Sequence, residues 1–146
     1  MRFPQSYVNR AITPAATGFT GAAPQTVNGA ALDSGLATTN GLAARVYCKA
    51  TTNTLTLTAK WQVLDNDGST WIDAVESNNP ANVVVVTGTG SAVTATKMIA
   101  APPSVTAGNR QCRVQVTSGV GVGGGAGVDE ASVSYEYRAP VSAFAS

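Results

Sequence analysis

Few residues in this 146-residue sequence could carry out chemistry, and histidine is missing altogether. That absence excludes every triad, general base and metal site that is built on histidine. A nucleophile made of a serine and a lysine would still be possible, but no spacing typical of such a pair occurs. The sequence therefore predicts that the protein is not an enzyme and has no catalytic residue.

Three aspartates, Asp65, Asp67 and Asp73, lie close together in the sequence. A calcium loop of the EF-hand type needs oxygen ligands at alternate positions before a glycine and a bidentate glutamate later, whereas Gly68 directly follows Asp67 here. A hairpin turn accounts for the same residues, because Asp, Asn and Gly tolerate the positive φ that such turns require. We therefore predict a turn and no metal site.

A glycine-rich run at residues 119–127 contains the pattern G-x-G-x-x-G. A dinucleotide site would need this loop to begin a helix, with an acidic residue about 20 positions later. Instead the run continues through more glycines into a strand-like pattern, and no Lys-Ser/Thr pair follows as in a P-loop. The run predicts a flexible hairpin loop and no bound cofactor.

The two cysteines leave two interpretations open. The order Cys48, Trp61, Cys112 resembles the Cys–Trp–Cys framework of immunoglobulin domains, but Arg110 stands where those domains have a tyrosine. Cys48 shares the parity of Val46, and Cys112 that of Val114, so both side chains are expected to face the interior. We favour a sandwich with two buried thiols, and a bridged immunoglobulin-like core is the alternative.

The elements that would position these residues are predicted to be strands. Apolar and polar side chains alternate most clearly at residues 55–63, which is typical of a half-buried antiparallel strand. Similar short segments are divided by clusters of Gly, Pro and Asn, and no segment has a helical period with caps. The predicted fold is all-β, an antiparallel β-sandwich or jelly roll, with further strands at 71–75, 82–87, 92–99, 111–117 and 131–138.

The N-terminal stretch differs in composition and shows no sustained period. Up to residue 42, Gly, Pro, Asn and Thr recur every few positions without a sustained period, so this stretch is expected to bury little by itself. We predict two parts: an extended, poorly regular N-terminal arm with loops and one short strand at 1–42, and a β-sandwich domain at 43–146.

Composition narrows the class of partner. Charged residues make up 12% of the chain, the formal net charge is +1 and no run of Lys or Arg occurs, so nucleic acid is not an expected partner. No apolar stretch approaches the ~20 residues that span a bilayer, so a membrane is not expected either. The N-terminus lacks the apolar segment of a secretory signal, which predicts synthesis and residence in the cytoplasm.

Four segments together resemble a known family: the hairpin at residues 61–71, the strand at 110–117, the glycine-rich tip and the closing strand at 133–137. They are similar to capsid cement, or decoration, proteins of tailed bacteriophages, of the jelly-roll type that binds shells of the HK97 fold. The resemblance covers roughly residues 43–141. It depends on the general pattern of residue types in these segments and not on an invariant motif.

The resemblance implies a viral structural protein that binds the outer surface of the capsid and stabilises contacts between major capsid protein subunits. It implies a homo-oligomer, a dimer or trimer, located on the exterior of the virion and made in the host cytoplasm. From residue types we further predict that Arg2, Phe3, Tyr7 and Arg10 contact the capsid, because aromatic residues and arginine are enriched at interface anchors.

Two other functions fit the same composition. The first is a receptor- or carbohydrate-binding module of a phage tail or an adhesin, which would use exposed aromatic, amide and carboxylate groups; its candidate residues are Trp71, Asp73, Asn78 and Asn79. The second is a head-completion or tail-tube subunit, which the sequence does not separate from a cement protein.

Overall fold

The computed structural model describes residues 5–10, 17–18, 25–33, 42–51, 54–76, 82–106, 110–119 and 129–140. Strands dominate these residues, and the one helix among them, α1, has four residues. No helix in the described ranges has the length and apolar character needed to cross a membrane. The elements in chain order are β1 (Gln5–Arg10), β2 (Thr17–Gly18), β3 (Thr26–Asn28), β4 (Leu32–Asp33), β5 (Ala43–Ala50), β6 (Thr54–Leu64), β7 (Trp71–Asp73), β8 (Asn82–Thr87), β9 (Val93–Ala100), α1 (Pro103–Thr106), β10 (Gln111–Ser118) and β11 (Glu130–Pro140).

The strands form two sheets in which every pair is antiparallel. Sheet 1 has the order β1-β11-β5-β9, and β2 also pairs with β11. Sheet 2 has the order β3-β10-β6-β7; β4 also pairs with β10, and β8 also pairs with β6. All six strands that we predict from the sequence are present, with ends that differ by at most two residues. The predicted all-β class is confirmed.

The core lies between the two sheets and follows from the period-two pattern. The inward positions of β6, which are the apolar residues that we predict to share a face, are all buried. Their counterparts on β5, β10 and β11 are buried as well, so the inner faces of both sheets close one continuous core. The largest fully buried side chains are those of Trp61, Tyr135, Leu55 and Leu57.

Both cysteines are buried thiols, and no disulfide joins them. Cys48 lies on β5 of sheet 1 and Cys112 on β10 of sheet 2. Burial raises the pKa of the Cys48 thiol, so this side chain is neutral and serves as a small apolar residue of the core. The interpretation as two buried thiols is confirmed, and the alternative of a bridged core is wrong.

The N-terminal stretch differs from its prediction. Four short strands, not one, lie within residues 5–33: β1 and β2 pair with β11, and β3 and β4 pair with β10. Val27 and Leu32 are buried in the core. β2, β3 and β4 are too short to show a period, and the six residues of β1 do not alternate between apolar and polar side chains. All four strands pair with the backbone hydrogen-bonding edges of β10 or β11. Residues on both sides of position 42 therefore share both sheets, and the division into 1–42 and 43–146 stays a prediction.

The buried side chain of Tyr135 links the two sheets at the segment between β3 and β4. The Tyr135 hydroxyl accepts a hydrogen bond from the Val114 backbone N–H at 3.1 Å and donates one to the Ala30 carbonyl at 2.8 Å. The Gly29 backbone N–H donates to the Val114 carbonyl at 2.8 Å. A Cβ atom at position 29 would lie 2.4 Å from the Tyr135 hydroxyl oxygen, so only glycine fits here. Burial raises the pKa of Tyr135, which keeps the hydroxyl protonated and able to donate.

Candidate interaction surface

The aspartates at the tip of the β6–β7 hairpin serve the turn. The Asp67 carboxylate accepts hydrogen bonds from the Ser69 and Thr70 backbone N–H groups and from the Thr70 hydroxyl. The hydroxyl of Thr70 is the largest cause that lowers the pKa of Asp67 to about 2. Gly68 has a φ of 73°, as the predicted turn requires. The described part of the chain contains no group of three or more acidic or Cys side chains placed to hold a metal ion.

The outer face of sheet 2 carries most of the polar side chains that the structure brings together. On β3, β6 and β10 they occupy the alternate positions whose neighbours along the strand are buried in the core, so the same period that builds the core also builds this surface. We call it the polar face, and define it by Thr26, Asn28, Thr54, Thr56, Thr58, Lys60, Gln62, Trp71, Asp73, Arg113, Gln115 and Thr117.

A chain of hydrogen bonds crosses three strands of the polar face. The Lys60 Nζ atom donates to Asp73 Oδ2 at 2.8 Å, and the Gln62 amide donates to Asp73 Oδ1 at 2.9 Å. The Arg113 Nε atom donates to the Gln62 side-chain oxygen at 2.9 Å. The hydrogen bond from Lys60, followed by that from Gln62, lowers the pKa of Asp73. Because the Gln62 side chain is buried between these partners, each one fixes the position of the next.

Arg113 is held on a second side by an aromatic ring. Its guanidinium carbon lies 4.3 Å from the centroid of the Trp71 ring, which is a stacked cation–π contact. Partial burial lowers the pKa of Arg113, but a guanidinium remains charged at neutral pH. Within the part of the chain that the structure describes, its two Nη atoms make no hydrogen bond or ion pair. The guanidinium of Arg113 is therefore held in place, and its Nη–H groups can still donate hydrogen bonds to a partner.

The rest of the polar face is lined by hydroxyl and amide groups. Gln115 donates from its amide to the Asn28 side-chain oxygen at 3.1 Å, and the Thr26 and Thr117 hydroxyls lie 3.5 Å apart. A shallow depression of about 280 Å³ lies beside them; it is lined by Thr56, Thr58, Lys60, Thr117, Ser118 and Gly119. This part of the surface can exchange hydrogen bonds with a partner but offers no reactive group.

On the outer face of sheet 1, the charged side chains of β5 and β11 that the structure describes form ion pairs with one another. Arg45 forms an ion pair with Glu136, and Lys49 forms one with Glu130 at 3.3 Å. Both pairs join β5 to β11, which are neighbours in this sheet. We call this surface the paired face, and define it by Ala43, Arg45, Tyr47, Lys49, Thr94, Thr96, Met98, Ala100, Glu130, Ser132, Ser134 and Glu136.

A third feature is a groove between β7 and α1, which is lined by apolar side chains together with Asp73, Ser104 and Arg110. The side chains of Ile72 and Val75 are exposed there, Val75 to 85%. The groove has a volume of about 430 Å³, and Ser104 of α1 closes one side by hydrogen bonds to Glu76. Residues 77–81 and 107–109, which neighbour its lining residues in the sequence, lie outside the described residues.

The capsid-contacting residues that we predict from the sequence stay predictions. Arg2 and Phe3 lie outside the described residues. Tyr7 and Arg10 belong to β1, where their backbones pair with Arg138 and Tyr135, and their side chains are not among those described.

Of the four residues predicted for a carbohydrate site, two lie on the polar face and two lie outside the described residues. Trp71 and Asp73 lie on the polar face, but Arg113 stacks on the ring of Trp71, and Lys60 and Gln62 occupy the carboxylate of Asp73. Asn78 and Asn79 lie outside the described residues. Trp61 is 1% exposed, so a bound sugar could not contact it.

Sequence reasoning missed Arg113 as a surface residue of interest. The available signal was its position between Cys112 and Val114, two residues that we predict to face inward, which places Arg113 outward. Its proximity to Trp71 and Gln62 could not be read from the sequence, because it depends on β6 lying between β10 and β7.

Comparisons with known proteins bear on the fold. No family model matches this sequence, and no curated protein matches it. Among solved structures, the chain is similar to a chain in the structure of infectious bursal disease virus, Gx strain, with a TM-score of 0.55 and 14% sequence identity. The match covers 97% of this chain and 34% of that chain, so this protein spans about a third of the length of its structural neighbour. At this identity, the likeness shows a shared β-sandwich fold.

Proposed function

We propose that the protein is a structural component of a virus particle, and that it binds the surface of the shell and reinforces contacts between shell subunits. The observation that carries the proposal is the match of nearly the whole sandwich to a chain of a virus structure. The resemblance of residues 43–141 to phage cement proteins supports the same role. It favours the outer surface of the capsid as the location and the major capsid protein as the partner.

The described surface is of the kind that this role needs. Its two broad faces carry mainly hydroxyl, amide and charged side chains, with exposed apolar side chains such as Met98 and Val85 among them. Two of its hollows are the shallow depression on the polar face and the groove between β7 and α1. A mixed surface of polar and apolar side chains suits contacts with another protein.

Binding of this kind would stabilise a shell by mass action. A protein that binds assembled subunits but not separate ones shifts the equilibrium towards the assembled state. Many copies on one lattice add their individual contributions, and an oligomer that binds through several copies gains from the raised effective concentration. No chemistry is required of the protein itself.

The proposal can be tested by counting copies in particles. Particles produced by the genome that encodes this chain would be purified on a density gradient, and the chain would be quantified by mass spectrometry against the most abundant shell protein. We expect a copy number of the same order as that of the shell protein. A handful of copies per particle would point to the tail, and absence from particles would contradict the proposal.

A matched experiment tests the stabilising role. Particles from a genome that lacks the coding sequence would be heated beside complete ones, and release of nucleic acid would be followed with a dye. We expect release at a lower temperature without the protein, and restoration when the purified protein is added back. Identical release curves would show that the protein does not reinforce the shell.

A further inference from the structure

We infer that the polar face is the docking surface for the particle partner, and that Arg113 receives an aspartate or glutamate side chain of that partner. The inference rests on the proposed function, because it names the surface through which the protein would bind a shell. It differs from the sequence-based prediction, which assigns capsid contact to Arg2, Phe3, Tyr7 and Arg10.

The first support is charge. The charged side chains described on the polar face are Lys60, Asp73 and Arg113, and the carboxylate of Asp73 is taken up by Lys60 and Gln62. Arg113 therefore has no carboxylate among the described residues. On the paired face, by contrast, Arg45 and Lys49 each have a glutamate. Charge complementarity then favours a partner that brings a carboxylate to the polar face.

The second support is that Arg113 is already in place. Its Nε atom is bonded to Gln62 and its plane stacks on Trp71, so little side-chain freedom remains to be lost on binding. The two Nη atoms lie at the edge of the guanidinium fork, which is the geometry that binds a carboxylate through two parallel hydrogen bonds. An arginine beside a tryptophan is also the pair of residue types most enriched at energetic centres of interfaces.

The third support is the surrounding surface. Gln115 and Thr117 follow Arg113 on the same side of β10, and Lys60 lies opposite Gln115 on β6. These side chains supply further donors and acceptors around the arginine, as the polar rim of an interface does. The partner therefore has the chemistry of a polar protein surface with an acidic residue at its centre.

Site-directed photo-crosslinking in cells that assemble the particles tests the inference. A photo-reactive amino acid would replace Gln115 on the polar face or, as the control, Ser132 on the paired face. Each would be combined with Arg113→Gln or with the matched change Arg45→Gln on the opposite face. Crosslinked peptides would be identified by mass spectrometry.

We expect a crosslink from position 115 and not from position 132, in a partner peptide that contains Asp or Glu. Arg113→Gln should lower its yield about tenfold or more, whereas Arg45→Gln should change it less than about twofold. Arg113→Lys should restore only part of the yield, because an ammonium group retains the charge but not the planar fork.

The failures of the two proposals are distinguishable. A crosslink from position 115 that depends on Arg113 but leads to a protein other than a shell subunit would overturn the proposed function and leave the docking surface standing. No crosslink from position 115, a crosslink from position 132 alone, a partner peptide without Asp or Glu, or a crosslink to a second copy of this chain would each overturn the docking surface.

Discussion

The two outer faces of the sandwich are built on the same plan but differ in how their charges are used. On the paired face, cations and carboxylates meet across β5 and β11 in two separate ion pairs. On the polar face, a single hydrogen-bonded chain from Lys60 to Arg113 crosses three strands and ends on a stacked tryptophan. A surface whose charges are already satisfied gains little from a partner, whereas one with a fixed and unneutralised arginine does.

The difference arises from one short strand. β7 pairs with the end of β6 and brings Trp71 and Asp73 beside residues that β6 and β10 direct outward. Sheet 1 has no such addition beside β5, where β9 contributes Thr94, Thr96 and Met98. The hairpin that carries β7 therefore changes an ordinary polar sheet surface into one with an organised centre.

Gly29→Ala should have the largest effect, because both faces depend on the core beneath them. The added Cβ would lie 2.4 Å from the Tyr135 hydroxyl and displace a group that bonds Val114 and Ala30. We expect a loss of about 2–3 kcal/mol in the free energy of unfolding, measured by urea denaturation with tryptophan fluorescence. Gly119→Ala is the control, since its Cβ would make an ordinary contact of 3.6 Å.

A double-mutant cycle with Tyr135→Phe identifies the cause. Tyr135→Phe alone should cost about 2 kcal/mol, because it leaves the Val114 N–H and the Ala30 carbonyl without their partner. The double variant should be less destabilised than the sum of the two single variants, because the clash disappears with the hydroxyl. Simple additivity would show that Gly29 is required for another reason.

Asp73→Ala should have the second largest effect on the free energy of unfolding. It tests whether the polar face contributes more to stability than the paired face. It removes the acceptor of both Lys60 and the buried Gln62 amide, so we expect a loss of about 1–2 kcal/mol. Arg45→Ala, which breaks the ion pair with Glu136 on the paired face through a side chain that is 45% exposed, should cost less than about 0.5 kcal/mol. Equal costs in urea denaturation would mean that the hydrogen-bonded chain on the polar face is not a coupled unit.

Removal of the arginines should affect stability less. Arg113→Gln loses the stacking on Trp71 and one hydrogen bond, for which we expect about 0.5–1 kcal/mol. Arg45→Gln loses an ion pair whose arginine side chain is 45% exposed, for which we expect about 0.5 kcal/mol or less. These small costs matter for the crosslinking experiment, because both variants should stay folded. A loss of more than about 2 kcal/mol for Arg113→Gln would make that residue primarily structural.

Acid should lower the free energy of unfolding through Asp67 at the tip of the β6–β7 hairpin, and this effect should be the smallest. The pKa of Asp67 is about 2 in the folded protein, below its ordinary value of 3.8, so the unfolded chain binds more protons between these values. The stability that this carboxylate contributes is therefore complete above pH ~4 and is lost as the pH falls towards 2. Asp67→Asn should be less stable than the parent protein at pH 7, and the difference should shrink near pH 2. A difference that is independent of pH in urea denaturation would exclude this origin.

Much of the fold could be predicted from the sequence, because burial on one side of a strand leaves a period of two. That pattern identified β6 and β11, and Asp67-Gly68 identified the turn between β6 and β7. The strands before residue 42 could not be predicted, since β2 and β4 have two residues each, β1 has no alternation of apolar and polar side chains, and all of them form through the edges of other strands. A local pattern carries no information about such long-range pairing.

The candidate surface was less accessible to sequence reasoning. Trp71 and Asp73 were singled out as members of a sugar-binding alternative, and Lys60 and Gln62 only as the polar side of a strand. Arg113 is separated from Gln62 by 51 positions, so their hydrogen bond depends on the register of β10 against β6. Residue types indicate which groups can interact, but only the register indicates which ones meet.

A cryo-electron microscopy reconstruction of the particles, with and without this protein, tests the central claim most directly. We expect additional density of the sandwich on the outside of the shell, with the face that carries Arg113 and Trp71 against a shell subunit and the face that carries Arg45 and Glu136 towards solvent. Absence of this density from the shell would contradict the proposed function, and density in the reverse orientation would contradict the assignment of the polar face.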